Sequence, residues 1–122
     1  MAHPVVHWEI GAKDAKKQRE FYAGLFGWEI KVGDYGEYGM VDRQDDSGIG
    51  GGIMPVPPGV PPYLSFYIAV DDLRAHLNKA VSMGATTVVG PTPIPGVGEF
   101  AMFSDLEGNV VGMLQPAMGA QP

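Results

Sequence analysis

Two side chains able to hold or move a proton, His7 and Glu9, stand two residues apart in the run Val5-Val6-His7-Trp8-Glu9-Ile10. Alternate residues of a strand share a face, so the imidazole and the carboxylate project together, about 6.6 Å apart along the chain. Val6, Trp8 and Ile10 point the other way, toward an expected apolar core. A carboxylate in a partly apolar cavity has its pKa raised toward neutrality, which suits Glu9, or His7 beside it, to general-base work. A second run, Tyr63-Leu64-Ser65-Phe66-Tyr67-Ile68-Ala69-Val70, puts Tyr63, Ser65 and Tyr67 on one face and Leu64, Phe66, Ile68 and Val70 on the other. The chain has no cysteine, which removes thiolate nucleophiles, thiolate metal ligands and disulfides from the possible chemistry.

The two runs begin two similar segments. His7 and Ser65 are 58 residues apart, as are Asp14 and Asp72. Each run leads into an aspartate suited to cap a helix, then an amphipathic stretch, then a glycine, Gly27 or Gly84. In the first stretch Ala15, Gln18, Phe21, Tyr22, Leu25 and Phe26 form an apolar side, with Lys16, Lys17, Arg19 and Glu20 toward water. In the second, Leu73, Leu77, Ala80 and Val81 do so. Expected strands follow at 28–32, 37–42 and 48–54 in the first half, with 33–36 as a hairpin turn and the glycines at 48, 50, 51 and 52 weakening the last. The second half offers strands at 86–89, 99–104 and 109–114, a proline-containing loop at 91–98 and the turn Asp105-Leu106-Glu107-Gly108. Each half therefore reads β-α-β-β-β. Pro55 to Pro62 reads as a stiff, largely polyproline-II linker between them. The expected organisation is one domain: a module at about 4–56, the linker 55–62, a second module at about 63–116, and a loose tail 117–122.

Composition narrows the partners. At 122 residues and net charge -6, the chain is large enough for a real core and unsuited to nucleic acid or anionic membranes. No apolar run approaches the roughly 20 residues of a membrane-spanning helix, and Met1-Ala2-His3-Pro4 has no leader pattern, so a cytoplasmic protein is the expectation. Acidity is compatible with a neutral or cationic ligand.

The duplicated unit, Phe21-Tyr22 followed by Gly27-Trp28, and the segment Phe103-Ser104-Asp105-Leu106-Glu107-Gly108-Asn109 together resemble the vicinal oxygen chelate superfamily. Glyoxalase I, bleomycin-resistance proteins and extradiol dioxygenases belong to it. The resemblance covers roughly 4–116. It implies an α+β fold in which two βαβββ modules pair into curled mixed sheets around a U-shaped cavity, helices outside, often within a homodimer. It also implies a divalent metal held by one side chain from each of four strands. Carried over residue by residue, those positions fall on His7, the glycines around Gly51, Ser65 and Gly112. Only His7 is a competent ligand, and a catalytic ion needs three or four protein donors. The expectation is therefore no metal and no cofactor. His3 and His76 do not supply the missing donors.

The expected cavity is lined by His7, Glu9, Ile53, Tyr63, Ser65, Tyr67, Met102 and Phe103, with open space at Gly51 and Gly112. Which face of Phe100-Ala101-Met102-Phe103 points inward stays open. Plainer readings stand beside these: His7 as a hydrogen-bonded core histidine, Tyr63 and Tyr67 as packing, Trp8 and Phe66 as helix-facing core. The leading functional expectation is a glyoxalase/bleomycin-resistance-like protein that binds a small organic molecule without a divalent metal. The alternatives are a metal-independent lyase or isomerase using Glu9 or His7 as base and, after it, a metal-dependent glyoxalase- or dioxygenase-type enzyme. A partner-binding accessory domain comes last.

Overall fold

The structure is a computed structural model that describes residues 2–33 and 37–117. Ten elements follow one another: β1 (Val5–Ala12), α1 (Ala15–Phe26), β2 (Ile30–Val32), β3 (Gly39–Val41), β4 (Gly51–Pro55), β5 (Tyr63–Ala69), α2 (Leu73–Ser82), β6 (Thr86–Ile94), β7 (Gly98–Ser104) and β8 (Val110–Pro116). This is the α+β sequence of two βαβββ modules. The chain clusters into two compact units, His7–Ser65 and the pair Met1–Val6 with Phe66–Pro122. Residues 34–36 of the expected turn 33–36, and the tail beyond Ala117, lie outside the described residues.

In the unit His7–Ser65 the strands run β2-β3-β4-β1, with β4 parallel to β1 and the other pairs antiparallel. In the other unit they run β6-β7-β8-β5, with β8 parallel to β5 and the rest antiparallel. The pairing rules are thus the same twice. Registers repeat as well: Met40, Gly52 and Glu9 lie in one row across β3, β4 and β1. Met102, Gly112 and Tyr67 lie in the matching row across β7, β8 and β5.

Both helices start where the sequence places them. Asp14 accepts from the Lys17 backbone N–H at 3.1 Å, and Asp72 accepts from that of Ala75 at 3.1 Å. Gly27 closes α1 in the left-handed region at φ 72°, where its N–H reaches the Ala23 carbonyl. Helix α2 buries Leu73 and Leu77 against Val70, Ala101 and Met113, with Ile68 and Phe103 packed on this core. The segment Asp105–Asn109 closes on the Asp105 carboxylate, which accepts from the Glu107 and Asn109 backbone N–H groups at 2.9 Å each.

Several expectations need correction. Strand β6 runs on through Pro91 and Pro93 to Ile94, where a loop was expected, with register shifts between Thr87 and Thr92. As the outermost strand of its unit it tolerates prolines, which remove a donor only from the unpaired edge. The proline segment is not a continuous polyproline helix, because Val60 N–H turns back to the Pro57 carbonyl at 3.1 Å and Gly59 takes φ 85°. Helix α1 buries only Ala15; Phe21, Leu25 and Phe26 are more than half exposed. Phe66, read as helix-facing core, is 40% exposed, and Leu64 on the same expected apolar face is 77% exposed. Alternation gives the face a residue is on, but a face is core only where something covers it.

Candidate functional site

Strand β1 carries the proton-holding pair as its alternation requires. His7, Glu9 and Gly11 share one face, while Trp8 and Ile10 pair with Gly51 and Ile53 on the other. The α1 side is identified by Gly39, the register partner of Ile53, whose missing Cβ would meet the Arg19 stem. Ile53, fully buried, therefore belongs to the core beneath α1 and not to the face of Glu9. Phe103 is corrected on the same ground: it packs on the α2 core, whereas Met102, one residue earlier, lies on the opposite face with Tyr67.

Glu9 is only 3% exposed, yet it is hydrogen-bonded. The Tyr63 hydroxyl donates to Glu9 Oε1 at 2.7 Å. The Tyr38 hydroxyl also bonds the Glu9 carboxylate, and lies 2.8 Å from His7 Nε2. A phenol has one proton, so Tyr38, donating to Glu9, accepts from His7 Nε2–H. The result is a chain from His7 through Tyr38 to Glu9, met from the other side by Tyr63. Burial, then the Glu9 carboxylate, push both phenols well above their ordinary ionisation, with the Tyr63 charge adding to the effect on Tyr38. Burial also lowers the His7 pKa, which keeps its ring neutral.

Glycines let the rings lie there. A Cβ at Gly52, opposite Glu9 in the register, would fall inside the Tyr38 ring. One at Gly11 would fall inside the Tyr63 ring. Two phenols thus lie across glycine seats on the sheet face with their hydroxyls converging on one carboxylate. Ser65, two residues after Tyr63 on β5, is on the same face and buried. In the other unit Tyr67 lies over Gly112, its hydroxyl 3.9 Å from the Met102 sulfur and its ring edge-to-face with Phe100.

The expected open space at Gly51 and Gly112 is therefore absent. The Trp8 ring fills the first, on the α1 side, and the Tyr67 ring fills the second. This decides the fit of a divalent ion. The positions that would supply ligands offer one imidazole engaged with a phenol, one serine and two glycines whose side-chain space is taken by rings. Among the described residues no group of three or more His, Cys, Asp or Glu side chains is placed to hold a metal. The residues present do not fit such an ion.

His3 and His76 meet edge-to-face with ring centroids 4.7 Å apart, in the unit that lacks Glu9. Tyr38 is the functional candidate that sequence reasoning passed over. It stands two residues before Met40, so it shares the face of Gly52 and Glu9. That parity was the available signal, but the pairing of β3 with β4 that makes it meaningful is set by strand register.

The profile of the Glyoxalase/Bleomycin resistance protein/Dioxygenase superfamily matches residues 4–113. The chain belongs to this superfamily. Within it, CFP32 of Mycobacterium tuberculosis, provisionally named a glyoxylase, is 39% identical over 82 residues, covering 67% of this chain and 31% of that protein. The anthracycline biosynthesis protein DnrV of Streptomyces peucetius is 27% identical over 116 residues, covering 82% of this chain and 42% of that protein. The match thus spans 31% to 42% of the length of these relatives. Among solved structures, the hypothetical protein BH1468 of Bacillus halodurans C-125 superposes with TM-score 0.73 at 12% identity, covering 100% of both chains. Methylmalonyl-CoA epimerase of M. tuberculosis superposes with TM-score 0.66 at 16% identity, covering 93% of this chain and 87% of its own. At such identities the likeness concerns the superfamily fold alone. Among the described residues no helix is long and apolar enough to cross a membrane.

Proposed function

We propose that this superfamily member binds a small organic molecule against the face carrying His7, Glu9, Tyr38, Tyr63 and Ser65, without a divalent metal. The observation that carries the reading is the state of Glu9. Its carboxylate is held by two phenols and withdrawn from solvent, which suits a fixed recognition element better than an open metal ligand. Within the other unit, Tyr67 and Met102 give the equivalent face a similar apolar, aromatic character. The names of the relatives, a glyoxylase and an anthracycline biosynthesis protein, point to small organic molecules as well. A thermal-shift screen against small antibiotics and carbonyl metabolites tests this, since stabilisation grows with ligand concentration over Kd. A chelator is expected to leave the melting temperature unchanged. Stoichiometric metal on the purified protein, lost on replacing His7, would overturn the reading.

A second reading is a metal-independent lyase or isomerase with Glu9 as base. The Glu9 carboxylate supports it, because two phenol hydroxyls hold that base in one fixed geometry. Turnover abolished by Glu9→Gln in a folded protein would move the choice to this reading. We further take the protein to act as a cytoplasmic homodimer. The exposed Phe21, Leu25 and Phe26 on α1 support a covered surface. Light scattering tests the dimer, and cell fractionation tests the compartment.

A further inference from the structure

We infer that the group a ligand places over Glu9 is a hydrogen-bond-donating cation, a primary or secondary ammonium, and not a carbonyl or carboxylate. The inference rests on the binding reading above and names the chemistry of that site.

It follows from donor accounting. The Tyr63 proton goes to Glu9 Oε1 at 2.7 Å. The Tyr38 proton goes to the same carboxylate, and the His7 Nε2 proton to the Tyr38 oxygen at 2.8 Å. Three polar side chains that look like donors in the sequence have their protons turned inward. Outward, the half-buried phenols offer lone pairs and ring surface, backed by a buried negative charge. A ligand oxygen would find neither of these phenol protons available, and an anion would also meet the Glu9 charge. An ammonium instead donates to the Tyr63 oxygen, lies against electron-rich rings and is attracted by the carboxylate beneath.

Neighbouring residues do not reverse this. Gly52, Gly11 and Met54 on the same face bring no charge. Lys31 lies in the same row but three strands from Glu9, about 14 Å away at ordinary strand spacing, and pairs with Asp42 at 4.0 Å. The chain's net charge of -6 adds long-range attraction for a cation.

The test uses three probes that share one ring and one linker: phenethylammonium, 2-phenylethanol and phenylacetate. Each is titrated into the whole protein while side-chain NMR signals of Tyr38, Tyr63 and His7 are followed. The ammonium is expected to bind about tenfold more tightly than the alcohol, with the carboxylate weakest. Glu9→Gln should abolish that preference while leaving alcohol binding in place. Tyr63→Phe, which keeps the ring and removes only the oxygen, serves the same purpose if Glu9→Gln unsettles the sheet. Phenylacetate binding on this face as tightly as the ammonium would overturn the inference and leave the binding site standing. Failure of all three probes to perturb these residues would overturn both. An ammonium preference that survives both substitutions would place the cation elsewhere and overturn the inference.

Discussion

Tyr63 and Glu9, 54 residues apart in the chain, meet through one hydrogen bond of 2.7 Å from the phenol to the carboxylate. The bond joins the end of the proline segment to the first strand. It also helps turn a buried carboxylate from a liability into a satisfied group.

Removing the Tyr63 hydroxyl alone should be costly. Tyr63→Phe leaves the ring on Gly11 but takes a charge-assisted donor from Glu9, an expected loss of about 2 kcal/mol. Urea denaturation of the variant against the parent measures it. The double change Tyr63→Phe with Glu9→Gln should cost less than the two single changes added, because the coupling is lost once.

The glycine seats give a prediction with an internal control. Gly52→Ala and Gly112→Ala drive a methyl into the Tyr38 and Tyr67 rings, and each should destabilise by about 1–3 kcal/mol. Gly24→Ala, in the last turn of α1 with nothing near its missing Cβ, should instead stabilise by about 0.5 kcal/mol. Thermal melts of the three variants decide it; equal effects would contradict the ring seating.

At alkaline pH the two phenols should set the loss of stability. Their folded pKa values lie above the ordinary 10.0, raised by burial and by Glu9. The unfolded chain therefore releases these protons first. Their contribution is complete below pH 10.0 and is lost as pH rises toward the folded values. Ultraviolet titration should show two of the five tyrosines ionising only with unfolding. Tyr38→Phe should reduce the slope of stability against pH in that range.

His7 behaves oppositely at the acid end. Burial depresses its pKa, so the unfolded chain binds a proton first as pH falls below 6.5. Stability from the neutral ring is present above that pH and is lost as pH falls through the folded value. His7→Gln should flatten this part of the profile, as read by melting temperature across mildly acid buffers.

The sequence by itself determined the duplicated unit, both helix caps, the turn on Asp105 and the shared face of His7 and Glu9. These depend on local chemistry and on a period of two or 3.6, which a chain carries in its order of residues. Membership of the superfamily rested on the same local marks. Only the tertiary structure decided that Tyr38 belongs with Glu9, that Ile53 and Phe103 face the helices, and that Gly51 and Gly112 are filled. Strand register determines which residue stands opposite which, and ring packing determines which space is empty. Neither is a property of neighbours in sequence. The apolar faces of α1 and of β5 at Leu64 and Phe66 make the same point: periodicity marks a face, and burial requires a partner to cover it.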